Sequence, residues 1–300
     1  MKKIVFRTIT LATLVSLSFF TSDLHTTGGK SIILDLEGVL VEPDPTAAVK
    51  EMGCGGLLAM GSGLGFSGVL SSAFRRSTPT EQLVGQFFKA IELIPYVGIE
   101  QEEQKRLNTI KLPYKGHQAP PLIKQWLVGS TVGSTIIEQY ALESLAKGNL
   151  SKSEKTLATK FTSMTFNPDK NAETVKVIKE ALNLIKELKL HNNNLYIIAH
   201  WNHEAIEKMK RYYPELFDLI GDSIMTSAEA QKIKPELYSH SIDTFNLDLE
   251  NCFFIESDKA HLDYALKLGS CDKRPQGIVC TQNYDEIRAA LQKFDALPKG

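Results

Sequence analysis

Ser31-Ile32-Ile33-Leu34-Asp35-Leu36-Glu37-Gly38-Val39-Leu40 is the stretch whose reading decides the fold. An apolar, β-branched run ends in a carboxylate, and a glycine follows three residues later. That pattern reads as a buried strand handing an acid to a loop at its carboxyl end. Open α/β sheets place their ligand chemistry at that edge.

Downstream, Glu42-Pro43-Asp44-Pro45 forces an extended exit, because proline biases the residue before it away from helix. Residues 53–68 carry many glycines among Leu, Met and Phe and read as a lid or linker, with membrane contact as the alternative. No Lys-Ser or Lys-Thr closes a Gly-x4-Gly there, so no phosphate loop is present. Residues 81–161 look helical in pieces, including 81–93, 121–128 and 136–146, with a break at 112–116.

From Asn171 the rhythm changes. Apolar Val175, Ile178, Leu182, Ile185 and Leu188 predict a helix over 172–190. Strands are expected at 195–199, 224–226, 252–255 and 277–280. Helices are expected at 204–213, from Pro235 onward, at 260–268 closed by Gly269, and at 285–294. Such alternation implies α/β architecture, a parallel sheet with helices on its faces. The first strand lies far upstream of the others, so the helical piece is an insertion. The expected division is a core of 31–44 plus 171–295, with 45–170 inserted.

Three hundred residues at 43% hydrophobic content can bury a sizeable core. The formal net charge of −1 argues against a nucleic-acid partner or a general anionic-membrane surface. At the N-terminus, Lys2, Lys3 and Arg7 precede a largely apolar stretch over 9–20, the pattern of a secretory signal over 1–24. Export is the expectation, to a periplasmic or extracellular site, with an uncleaved membrane anchor as the alternative. Membrane contact is expected through this segment alone. Cys54, Cys252, Cys271 and Cys280 form no CxxC and no zinc-like spacing. Cys252 reads as a buried small hydrophobe, and a Cys271–Cys280 bridge is conceivable in an oxidising compartment.

Polar residues gather at the ends of the expected strands. Asp35 and Glu37 follow the first, and Ala199-His200-Trp201-Asn202 the second. Lys234-Pro235-Glu236-Leu237-Tyr238 opens a helix, and Phe254-Ile255-Glu256-Ser257-Asp258 precedes His261 and Gly269. In this order they resemble the motifs of the haloacid-dehalogenase (HAD) superfamily of phosphatases, phosphomutases and dehalogenases. The resemblance runs in order over 31–295 and is loose in the insertion, although 120–129 looks like a cap segment of some bacterial HAD-like proteins. It implies a Rossmann-like parallel-sheet core with an inserted α-helical cap.

The resemblance also implies roles. Asp35 stands at the position of the nucleophile, which attacks phosphorus and ligates Mg²⁺. Glu37 stands where phosphatases carry an aspartic general acid, and its backbone carbonyl where they carry a metal ligand. Its extra methylene displaces the carboxyl, and a misplacement of ~1 Å can cost about 10²-fold. Gly38 completes the first motif against the substrate. Ala199 replaces the usual Ser or Thr, removing a hydroxyl whose loss elsewhere costs roughly 10²–10³ in rate. His200 is either a substitute donor to the phosphoryl group or a structural histidine. Lys234 stands where the family neutralises the nucleophile and the phosphoryl oxygens. Glu256 and Asp258 are the remaining candidate metal ligands. Ser257 replaces the acid commonly closer to Mg²⁺ and is a poorer partner for it. Asp258 either compensates by a local shift or caps the following helix.

These implications lead to a Mg²⁺-dependent phosphatase, weakened or retuned, acting on a small phosphorylated substrate. The alternative is a catalytically inactive pseudoenzyme that binds a ligand or partner protein. Haloacid dehalogenation ranks below both, since it expects a Ser at position 199 and an acid near His261.

Overall fold

A computed structural model describes residues 29–53, 78–114, 117–129, 132–270 and 273–299. The glycine-rich segment beyond Gly53, the N-terminal stretch expected to be a signal, Cys54 and Cys271 lie outside the described residues.

Nine strands are described: β1 Ser31–Leu34, β2 Val41–Pro43, β3 Pro113–Tyr114, β4 His117–Gln118, β5 Val175–Val177, β6 Asn194–Ala199, β7 Ile224–Thr226, β8 Cys252–Glu256 and β9 Gln276–Val279. Five form one sheet in the order β7-β6-β1-β8-β9. Every adjacent pair is parallel. Every residue of β1 and β8 is buried, as expected for strands covered on both faces. β1 is central, and the chain order reverses on either side of it. Its carboxyl end is therefore flanked by the ends of β6 and β8, the crevice in which open α/β sheets bind ligands.

The helical stretch lies between β2 and β5. Helices Thr78–Ile91, Gln101–Thr109, Pro121–Leu127, Ser134–Lys147, Lys152–Phe166 and Pro168–Glu173 follow one another there, interrupted by the β3–β4 hairpin. The expected pieces at 81–93, 121–128 and 136–146 coincide with three of them. Leu122, Trp126, Ile137 and Ala141 from this stretch join Ile32, Leu34, Leu36 and Ala199 in one continuous core.

Polar contacts add to that seam. Asn202 Nδ2 donates to the Trp126 carbonyl (3.0 Å), and its Oδ1 accepts from Ser134 Oγ (3.2 Å). Ser134 Oγ in turn accepts from the Trp126 indole (3.2 Å). Ser227 Oγ donates to the Leu127 carbonyl at 2.6 Å. At Gly129, which has φ +79°, a Cβ would fall 2.2 Å from the Ala228 carbonyl oxygen, so no side chain fits there.

Three sequence expectations need correction. The single helix over 172–190 is a helix Pro168–Glu173, the strand β5 and a helix Lys179–Leu190. Val175 and Val177 favour extended backbone, and β5 is fixed by antiparallel pairing with the distant β2. The helix expected over 260–268 spans Lys259–Ala265; Gly269, with φ +87°, lies beyond its cap at Leu266. Pro235 is the N-cap of helix Glu236–Phe245 and not its first residue, and the Lys234–Pro235 peptide is cis.

Cys252 is buried in β8, and its thiol donates to the Asp248 carbonyl (3.1 Å). Cys280 is also buried. Among the described residues, no helix is long and apolar enough to cross a membrane.

Candidate active site

Asp35 follows β1 directly, its backbone N–H donating to the Ile255 carbonyl of β8 (2.9 Å). The chain then turns sharply. Leu40 and Val41 both donate to the Leu36 carbonyl, and Gly38 donates to the Val41 carbonyl. Gly38 adopts φ +82°, a region that favours glycine. A Cβ there would lie 2.8 Å from the Ser257 Cβ. Gly38 thus has two reasons to lack a side chain. Gly38→Ala is expected to cost about 1–3 kcal/mol in urea unfolding. A loss below a few tenths would show that the turn relaxes freely.

Lys234 reaches the same point from the loop after β7. Its Nζ lies 2.9 Å from Asp35 Oδ1, and 3.1 and 2.9 Å from Glu256 Oε1 and Oε2. Asp35, Lys234 and Glu256 are all buried. Tyr238, on the first turns of helix Glu236–Phe245, donates its hydroxyl to Glu256 Oε1 at 2.6 Å. Ser257 Oγ donates to Asp35 Oδ2 at 2.7 Å. One lysine therefore holds two acids, and each acid has one further hydroxyl donor.

The electrostatics follow from this geometry. Burial alone would raise Asp35, but the Lys234 ammonium and the donors Ser257 and Lys234 outweigh it and hold the carboxyl below its ordinary range. Burial likewise opposes the charge on Lys234, and the two carboxylates restore it and raise its pKa. Glu256 goes the other way. Burial pushes it up to about 8 despite Lys234, and the Asp35 charge adds to the rise. Asp35 is thus the acid that stays ionised.

His200 sits beside this group. Its Nε2 accepts a hydrogen bond from the Lys234 backbone N–H, tying the loop after β6 to the loop that carries Lys234. Burial, Lys234 and His261 lower its pKa to about 3, so the ring is neutral near pH 7. The His261 ring lies edge-on at 5.6 Å, and burial lowers its pKa too. His200 thus meets the protein through an acceptor nitrogen, and any donation to a ligand falls to Nδ1.

The remaining candidates are placed as follows. Glu37 is half-buried in the turn after Asp35, where its backbone bridges to Val41. Ala199 ends β6, is completely buried and offers no hydroxyl. Asp258 is exposed, and its Oδ1 accepts from the backbone N–H groups of Ala260 (2.7 Å) and His261 (3.1 Å). It caps the helix Lys259–Ala265, the second of the two readings its position allowed.

The expected Mg²⁺ ligands do not assemble. Among the described residues, no three His, Cys, Asp or Glu side chains gather where they could hold a metal ion. Glu256 has no exposed surface, and both its oxygens are bonded to Lys234. Asp258 is engaged as a cap. Asp35 is left with the Lys234 ammonium and the neutral hydroxyl of Ser257 as its side-chain neighbours. Mg²⁺ seeks anionic oxygens in a tight octahedron, and this donor set fits it poorly.

Sequence reading placed Asp35, Lys234, Glu256 and Ser257 at one sheet edge but assigned no role to Tyr238. The signal was available: Tyr238 sits four residues after Lys234, across the start of a helix, and so can face back toward the lysine.

No family model matches the chain, and no curated protein matches it. Among solved structures, a predicted HAD-like family hydrolase from Porphyromonas gingivalis is similar at 15% identity, over 89% of this chain and 98% of that one, with a TM-score of 0.49. A HAD family enzyme from Bacteroides thetaiotaomicron, in complex with magnesium and inorganic phosphate, matches at 14% identity over 87% and 99%, with a TM-score of 0.47. A HAD family hydrolase from Deinococcus radiodurans R1, with bound phosphate and sodium, matches at 15% identity over 91% and 99%, with a TM-score of 0.44. The chain itself shows an open parallel α/β sheet in the order β7-β6-β1-β8-β9, with helices between β2 and β5 and Asp35 at the carboxyl end of the central strand.

Proposed function

We propose that this protein is a HAD-like hydrolase of weakened activity that removes the phosphoryl group from a small phosphorylated substrate by way of Asp35. The observation that carries the reading is the buried Asp35 carboxylate, kept ionised by Lys234 and Ser257 at the carboxyl edge of the sheet. Oδ1 accepts from the Leu36 N–H and from Lys234, whereas Oδ2 accepts from Ser257. Oδ2 therefore keeps a lone pair for attack. It would bond to phosphorus as the ester P–O bond breaks, and Glu37 would give its proton to the departing oxygen. Water would then hydrolyse the aspartyl-phosphate, with Glu37 taking its proton. The helices between β2 and β5 would form the cap that selects the substrate, and the N-terminal pattern supports an exported protein.

A second reading, a non-catalytic binder, is favoured by Ala199, which supplies no hydroxyl to a phosphoryl group, and by the full engagement of Lys234. Single-turnover release of p-nitrophenol from p-nitrophenyl phosphate separates the two. A hydrolase is expected to release it and to lose that activity by at least about 10³-fold in Asp35→Asn. Equal release from both proteins, or none from either while both are folded, removes the hydrolase reading.

A further inference from the structure

We infer that this sheet-edge site works without a divalent cation, with Lys234 as its built-in positive charge, and that it takes singly charged anionic ligands in preference to dianions. The inference rests on the hydrolase reading for its chemistry, in which a phosphate monoester would enter as its minor monoanion and turn over slowly; its binding consequences stand apart from turnover.

Two observations carry it. The first is the donor set. The oxygen of Asp35 that faces solvent-exposed Ser257 is met by a hydroxyl donor at 2.7 Å, so the place beside the nucleophile presents a proton and no second anion. A cation entering there would have to displace that proton and would gain one carboxylate oxygen, with the uncharged Glu37 carbonyl as the one other expected ligand. Ser257 also has little room to give way, because the Gly38 turn packs against its Cβ.

The second observation is the count of charges. Lys234 has three N–H donors, and three carboxylate oxygens surround it at 2.9–3.1 Å. Asp35 alone already matches its single charge, and Glu256 adds to the excess whenever it is ionised. His200, the nearest ring, uses Nε2 as an acceptor and adds no cation. An arriving anion must draw one N–H of Lys234 away from a carboxylate that already holds it. One negative charge can share Lys234 with Asp35 while Tyr238 continues to hold Glu256. A second negative charge would face the Asp35 carboxylate with no cation to offset it.

The test uses the whole 300-residue chain, with Mg²⁺ and two isosteric anions as probes. Isothermal titration of the wild type with Mg²⁺ is expected to show no saturable binding up to about 10 mM, against the millimolar or tighter binding of an oxygen-ligand cage. Ser257→Asp, which supplies a second anion beside Asp35, is expected to gain Mg²⁺ binding. Methanesulfonate and methylphosphonate have the same shape; at pH 8 the first carries one negative charge and most of the second carries two. Methanesulfonate is expected to bind at least about three-fold more tightly, read as thermal stabilisation of the wild type. Saturable Mg²⁺ binding to the wild type, or tighter binding of methylphosphonate, overturns the inference. Loss of turnover in every assay would instead remove the hydrolase reading and leave these binding results intact. If Ser257→Asp does not fold, the wild-type titration and the anion pair still decide the matter.

Discussion

Lys234→Met is expected to lower stability by roughly 3–5 kcal/mol at pH 7.5, because it leaves two buried acids without their shared cation. Asp35 is 7% exposed and Glu256 0%, so water cannot replace the lost partner. The deficit should shrink as the pH falls toward 5, where protonation relieves Asp35, Glu256 being protonated already. Adding Glu256→Gln should restore little of the loss, since Glu256 titrates at about 8 even beside Lys234 and is already protonated once that cation is gone. Urea unfolding of the single and double variants measures both effects. A single-variant loss below about 1 kcal/mol would mean that solvent reaches these acids and that the lysine is not holding them.

The second large effect concerns pH. His200 titrates at about 3 in the folded chain against 6.5 unfolded, so the unfolded state binds more protons between those values. Stability from this group is therefore complete above pH 6.5 and is lost as the pH falls. Glu256 has the opposite sign. Its folded pKa of about 8 lies above the ordinary 4.5, so its contribution grows as the pH falls from 8. Between pH 6.5 and 5 the two slopes oppose each other, and the wild type should look nearly flat. His200→Gln exposes the hidden term, because Gln can accept from the Lys234 N–H but cannot take up a proton. The variant should gain about 1–2 kcal/mol relative to wild type between pH 7 and 5, with the full two-state value reduced for a half-buried ring. A difference curve without slope would mean that the imidazole reaches water in the folded state.

The strands of the sheet were legible because each is a short, apolar run bounded by turn residues, and β7 was located to the residue. The boundary between helix and strand at 172–190 was not. Val175, Ile178 and Leu182 keep a helical spacing, and only pairing with β2, far back in the chain, shows that 175–177 is extended. The same limit applies to the site. Asp35 and Lys234 could be placed from local pattern, whereas the Ser257–Asp35 and Tyr238–Glu256 hydrogen bonds join residues whose proximity exists only after folding. Asp258 shows the converse, since its cap is a local matter and was already among its sequence readings.

The chain contains two tryptophans, and both lie at the seam between the inserted helices and the sheet. Trp126 donates its indole N–H to Ser134, which bonds Asn202, and the Trp201 carbonyl accepts from Ser227. His200 precedes Trp201 and is bonded to Lys234. The intrinsic ultraviolet emission of this protein is therefore not an average over the molecule. It is a local optical gauge of the contact between these helices and the loops that follow β6 and β7, and it needs no label.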